Sequence, residues 1–133
     1  MNSTGTSREL EGLFVDQSEQ AIDGLLKSVL EPLLGLTRDG KIVTKPLFLK
    51  LSLPEKILAV MLARLALVRL SVPNAQSEAT AEHLQNECLA TAKACRECLS
   101  RLKSKNILEK NDTGYFLPVW AVTKAVAEIK THA

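Results

Sequence analysis

The densest apolar run in the chain spans residues 52–71. In it Ile57, Leu58, Val60, Met61, Leu62, Leu65, Ala66, Leu67, Val68 and Leu70 cover nearly the whole circumference of a helix. A helix that is apolar all round is either buried by its neighbours or lies in a membrane. Lys56, Arg64 and Arg69 speak against the membrane, because Arg64 would sit at bilayer depth without a partner. The run therefore predicts a central core helix whose arginines carry their charged heads to the surface. Ser52 and Glu55 have the spacing of a capping box, and Pro54 falls in the first turn, where its missing N–H costs nothing.

A second, one-sided stripe precedes it. Leu10, Leu13, Phe14, Ala21, Leu25, Val29, Leu33 and Leu36 recur at helical spacing, widened by Ile22, Leu26, Leu30 and Leu34. This predicts an amphipathic helix over 8–36, with Pro32 kinking its end and a small polar, disordered tail over 1–7. So long a stripe needs a partner, either the domain's own core or the same helix of a second subunit. Residues 37–40 (TRDG) signal a turn. Residues 41–51 (KIVTKPLFLKL) read as extended: Leu47, Leu49 and Leu51 alternate with Phe48 and Lys50, and Pro46 restricts the segment to an edge strand or loop. Residues 72–79 form a connecting loop.

Beyond Thr80 the elements are short and well punctuated. Thr80 caps a helix in which Leu84 and Cys88 fall at i and i+4. Thr91 caps the next helix, 92–105, with Cys95, Cys98, Leu99 and Leu102 on one face. Residues 107–110 and 115–117 read as two strands around a polar tip, 111–114 (NDTG), with hairpin chemistry. Pro118 opens a last amphipathic helix with Val119, Val122, Ala125, Val126 and Ile129 on its apolar face, and Trp120 is expected to anchor it in the core or at an interface.

Composition narrows this picture. At 133 residues the chain fits one domain, and with five aromatic residues its core must be mostly Leu, Val, Ile and Ala, which suits helices. The net charge of +2 is too small to declare a nucleic-acid binder, but its distribution is uneven: residues 1–36 sum to −4, residues 37–71 to +5 and the remainder to +1. The polar N-terminus has no apolar segment of the signal-peptide kind, and three cysteines, an odd number, argue for a reducing cytoplasm rather than a disulfide framework.

Core helix, short helix, tight turn, second helix and hairpin with a polar tip, in that order, resemble the winged helix-turn-helix superfamily. Residues 80–118 (TAEHLQNECLATAKACRECLSRLKSKNILEKNDTGYFLP) carry the resemblance: Leu84, Leu99, Leu102, Ile107 and Leu108 occupy the apolar places of its pattern. Asn106 stands where the superfamily commonly has glycine, a mild departure because Asn tolerates the left-handed conformation of a helix C-cap. The resemblance implies a mostly α fold with a small β-wing over 37–133, to which the helix 8–36 and the C-terminal helix add. It implies double-stranded DNA as partner, with the second helix of the motif in the major groove and the wing on the backbone or in the minor groove. On that reading Lys93 and Arg96 reach base edges, while Ser100, Arg101, Lys103, Lys110 and Asn111 take phosphates. The N-terminal and last helices would pair two subunits into a homodimer, setting two recognition helices about one DNA turn apart.

Glu97 sits within that face and repels phosphate, and residues 80–110 hold six basic against four acidic groups. A winged helix used for protein contacts is therefore the alternative. A second alternative is a metal- or thiol-responsive regulator, since Cys95 and Cys98 at i and i+3 with Cys88 nearby have a spacing that can share a zinc; packing as small hydrophobes is the plainer role for all three. Neither histidine, His83 or His132, has an acid and a nucleophile in motif spacing. There is no glycine-rich phosphate loop and no serine elbow, so neither an enzyme nor a cofactor is expected.

Overall fold

A computed structural model describes residues 18–132 of the chain. The order of elements is α1 (Glu19–Leu30), β1 (Leu34–Leu36), β2 (Ile42–Thr44), α2 (Pro46–Leu49), α3 (Leu53–Arg69), α4 (Ala81–Cys88), α5 (Ala92–Ser104), β3 (Glu109–Lys110), β4 (Tyr115–Phe116), a 3-10 turn (Val119–Ala121) and α6 (Val122–His132). The fold is mostly helical, with two small antiparallel hairpins, β1–β2 and β3–β4.

Helix α3 is the axis. Its start is the expected capping box: the Ser52 N–H donates to Glu55 Oε1 at 2.9 Å, and the Glu55 N–H reaches the Ser52 hydroxyl at 3.5 Å. Residues 57–63 are all at most 1 % exposed, which the run of apolar positions demanded. They are enclosed by α1, α4, α5 and α6, each of which packs on α3. The arginines do not simply run to water. Arg69 Nε pairs with Asp23 at 2.6 Å and its Nη2 donates to the Glu19 carbonyl at 3.2 Å, tying the end of α3 to the start of α1. Arg64 Nη2 donates to the Glu78 carbonyl at 2.8 Å and anchors the loop that leads into α4.

The expected helix over 8–36 is corrected at its end. Helix α1 stops at Leu30, because Pro32 has no N–H for the ladder and its ring crowds the preceding turn. Leaving the helix lets Leu33 and Leu34 turn inward, and residues 34–36 become a strand. Helix α1 also begins at a true cap, Ser18, whose hydroxyl accepts from the Ala21 N–H. The tail 1–7 and the first ten residues of that expected helix lie outside the described residues. Within them the apolar face Ile22, Leu26, Val29 and Leu30 packs on α3 and α6 of the same chain. Of the stripes expected to hold a dimer together, the Glu19–Leu30 part and the apolar face of α6 pack inside the domain, while Leu10, Leu13 and Phe14 lie outside the described residues.

Residues 41–51 are not one extended segment. Ile42–Thr44 pair with Leu34–Leu36, and Pro46 then starts a single helical turn from Lys45 in the extended N-cap conformation. The phase change buries Phe48 with Leu51 and leaves Leu47 and Leu49 exposed, which breaks the alternation read from the sequence at Leu47, Phe48 and Leu49 and keeps it only at Lys50 and Leu51. A similar shift occurs after Pro118: the 3-10 turn brings Ala121 and Val122 inward and leaves Val119 and Trp120 in solvent, Trp120 at 50 % exposure. Trp120 is therefore no core anchor.

The three cysteines are core residues. Cys88, Cys95 and Cys98 are free and buried among Leu84, Leu99 and Leu102, and among the described residues no three His, Cys, Asp or Glu side chains converge as a metal site. Burial pushes the Cys88 thiol up to about 12 and raises Cys95 and Cys98 as well.

Two outcomes follow from this core. Leu62→Ala, at a fully buried position, is expected to cost about 2–5 kcal/mol in urea unfolding, and a loss under about 1 kcal/mol would show that α3 is not the core. The cysteines make stability fall at alkaline pH. The unfolded thiols ionise near the ordinary value of 9.0 while the folded ones keep their protons, so the contribution is nil below that pH and turns unfavourable as pH rises above it. The urea midpoint is expected to drop between about pH 8 and pH 10, and the thiols to react with an aromatic disulfide reagent only after unfolding; fast reaction of the native protein would contradict their burial.

Candidate nucleic-acid interface

Helix α5 is built with two unlike faces. Thr91 caps it through its hydroxyl, which accepts from the Ala94 N–H at 3.1 Å. Cys95, Cys98, Leu99 and Leu102 face α3 and α4 and are buried. At 100° per residue, Lys93, Arg96, Ser100 and Lys103 line one exposed stripe, and Glu97 and Arg101 stand on the stripe beside it. The sequence-derived candidates on this helix thus share one solvent face, with the acid among them.

The turn that orients this face against α4 is made by Leu89, in the left-handed conformation at φ 55°. Helix α4 itself starts at Thr80, whose hydroxyl accepts from the His83 N–H while His83 Nδ1 accepts from the Thr80 N–H at 3.1 Å. His83 thus has a structural partner and is exposed. The C-terminus of α5 closes with a Schellman motif: Asn106 adopts φ 62°, its N–H reaches the Lys103 carbonyl, and the Ile107 N–H reaches the Leu102 carbonyl. Ile107 and Leu108 are buried as a hydrophobic plug rather than forming strand, so β3 is limited to Glu109–Lys110.

The hairpin β3–β4 follows directly. Asn111 makes its turn: Oδ1 accepts from the N–H groups of Thr113 at 2.8 Å and Gly114 at 3.1 Å, and Nδ2 donates to Glu78 Oε2 at 3.2 Å. A third chain segment joins the hairpin at Ala79, which exchanges two backbone hydrogen bonds with Tyr115. That approach explains Gly114, whose φ is 154° and where a Cβ would stand 2.7 Å from the Ala79 carbonyl oxygen. Lys110 is exposed, its ammonium 5.4 Å from the centre of the Tyr115 ring. Of the two hairpin candidates, Lys110 is therefore a surface cation, whereas Asn111 is committed to shaping the turn.

The electrostatics of the face are mixed. Arg96 Nη1 lies 3.1 Å from Glu82 Oε2, an exposed ion pair between α5 and α4. Arg101 Nε leans on the Glu97 carbonyl at 3.5 Å. At the far end, Lys105 pairs with Glu128 at 3.6 Å and its carbonyl accepts from Lys124 Nζ, joining α5 to α6. Inside, burial raises the Glu87 carboxyl, offset in part by Arg64 and His83. Sequence reading missed Glu82 and Glu78, because their partners lie 14 and 33 residues away and only the packed helices bring them together. The Asn111 role was legible, since N-x-x-G is the spacing of an Asx-stabilised turn. Cys88, Cys95 and Cys98 lie on the opposite, buried side and add nothing to the face.

No protein-family model, no curated protein and no solved structure matches this chain.

Proposed function

We propose that the protein is a winged-helix DNA-binding protein, a transcriptional regulator that lays α5 in the major groove and the hairpin β3–β4 against the backbone. The observation that carries this reading is the exposed stripe Lys93, Arg96, Ser100 and Lys103, with Arg101 alongside, on a helix whose other face is wholly buried. A helix held rigidly from behind, with Lys and Arg in front, is the device by which proteins enter the major groove. Thr91 at its cap and the hairpin beyond its end extend the surface at both ends.

A second reading, a winged helix that docks on protein, draws on a different observation. Trp120 and Val119 project into solvent, and Trp is a side chain that anchors interfaces.

Fluorescence anisotropy on random duplex DNA separates the two. With roughly three phosphates neutralised, affinity is expected to fall about 40-fold as salt rises about fourfold, and Arg96→Ala/Arg101→Ala to abolish binding. No binding at low salt would leave the protein-contact reading in place of this one. The Glu82–Arg96 pair gives a finer test. If Arg96 faces DNA, Glu82 competes with phosphate for its guanidinium. Glu82→Gln is then expected to tighten random-duplex binding about two- to fivefold and steepen the salt dependence. Unchanged affinity would remove Arg96 from the contact surface.

A further inference from the structure

The buried side of α5 fixes the centre line of its exposed side. At about 100° per residue, the point diametrically opposite Cys95, Cys98, Leu99 and Leu102 falls between Lys93 and Glu97. Glu97 and Ser100 stand about 30° to either side of that point, whereas Arg96 and Arg101 stand about 70° to either side, on the flanks. The half-buried Ala92 and Ala94 mark the two edges of the face. A helix laid in the major groove lowers its centre line onto the base edges and turns its flanks to the phosphate walls. We propose that Glu97 is the specificity-determining residue of this face and accepts a hydrogen bond from the exocyclic amine of a cytosine, a role that rests on α5 being the DNA-binding helix.

The Glu97 carboxylate is uncommitted. Lys93 and Arg101 lie four residues before and after it, the spacing of helical ion pairs. Among the described residues neither forms one with it. Arg101 Nε leans instead on the Glu97 backbone carbonyl at 3.5 Å. Neighbouring acids differ: Glu82 lies 3.1 Å from Arg96, Glu128 lies 3.6 Å from Lys105, and Glu78 accepts from Asn111. The rest of the centre line is short. Ser104 turns its hydroxyl back onto the Ser100 carbonyl at 3.1 Å, so the two serines add little bulk and leave Glu97 as the long side chain beyond Lys93.

The chemistry of the groove then selects the base. An ionised carboxylate only accepts hydrogen bonds. The donors on the base edges of the major groove are the N4 amine of cytosine and the N6 amine of adenine. Adenine sets its acceptor N7 beside the amine, which suits an amide and repels a carboxylate. Cytosine presents its amine with no acceptor of its own beside it. Guanine and thymine offer a carboxylate acceptors only, so Glu97 excludes them as well as favouring cytosine. Without such a donor, the carboxylate would give up water between two rows of phosphates and gain nothing in return.

The test compares the full chain with Glu97→Gln, an exposed change between two good helix formers whose folding circular dichroism verifies. Each protein selects sequences from a randomised duplex pool, and anisotropy then measures binding to the selected duplex with each base pair replaced in turn. For the parent protein one C·G pair is expected to be required, its replacement weakening binding about five- to 150-fold. Glu97→Gln is expected to exchange cytosine for adenine at that position and to keep the remaining preferences. Identical preferences in the two proteins would overturn the role of Glu97 alone. So would a gain of affinity uniform across sequences, which would make Glu97 a charge that merely repels the backbone. A parent protein that binds no duplex at low salt would overturn DNA binding itself, and this role with it.

Discussion

Seven successive residues of α3, 57–63, are removed from water on every side, so no side of that part of the helix can face solvent. That constraint arranges the rest of the domain. Four helices must surround one, and the chain supplies α1 and α6 from its two ends and α4 and α5 from one compact pair. The hairpin β1–β2 and the turn α2 follow from the same demand, since Leu33, Leu34 and Phe48 are drawn in to complete the enclosure. The ends of α3 cannot be hidden among side chains alike. Its first turn is satisfied by the Ser52–Glu55 box, and its last by Ser71 at φ 58°, which lets the Val72 N–H reach the Leu67 carbonyl.

The polar face of α5 is the by-product of this enclosure. Once Cys95, Cys98, Leu99 and Leu102 are committed to α3 and α4, helical geometry leaves Lys93, Arg96, Ser100 and Lys103 no direction but outward. The hairpin is held where it is by contacts that have little to do with its two short strands. Ala79 pairs with Tyr115, Arg64 grips the Glu78 carbonyl, and Glu78 in turn accepts from Asn111. Core helix, loop and hairpin are thus linked in one chain of hydrogen bonds. A two-residue strand pair would be marginal alone and is positioned by these links.

Much of the fold was legible because its signals are local. The caps at Ser52, Thr80 and Thr91, the left-handed Asn106 and the polar tip 111–114 depend on residues within a few positions of one another, and each formed as read. The basic stripe on α5 was legible for the same reason, since helical periodicity alone fixes which side chains share a face. The misread segments are those where two periodicities compete. In 41–51 the alternation of Leu47, Leu49 and Leu51 suggested a strand, but one helical turn after Pro46 buries Phe48 and Leu51 at i and i+3. At 118–122 the tighter 3-10 turn rotates Val119 and Trp120 out of the phase that an unbroken α-helix would have given them.

What the sequence determined by itself is the helices from α3 onward, the caps at Ser52, Thr80 and Thr91, the hairpin tip 111–114 and the identity of the central helix, because propensity, capping and hydrophobic period act over short stretches of chain. What only the tertiary structure decided is which surfaces remain free. The stripes on α1 and α6 were open to a second subunit until packing turned them on each other and on α3. Arg96 read as an unencumbered cation until α4 brought Glu82 within 3.1 Å of it. The hollow lined by Leu26, Leu34 and Leu70 exists only where α1 and β1 meet the end of α3, more than thirty residues further along the chain. Contacts of that kind follow from how helices fill space around a shared core, and no local pattern records them.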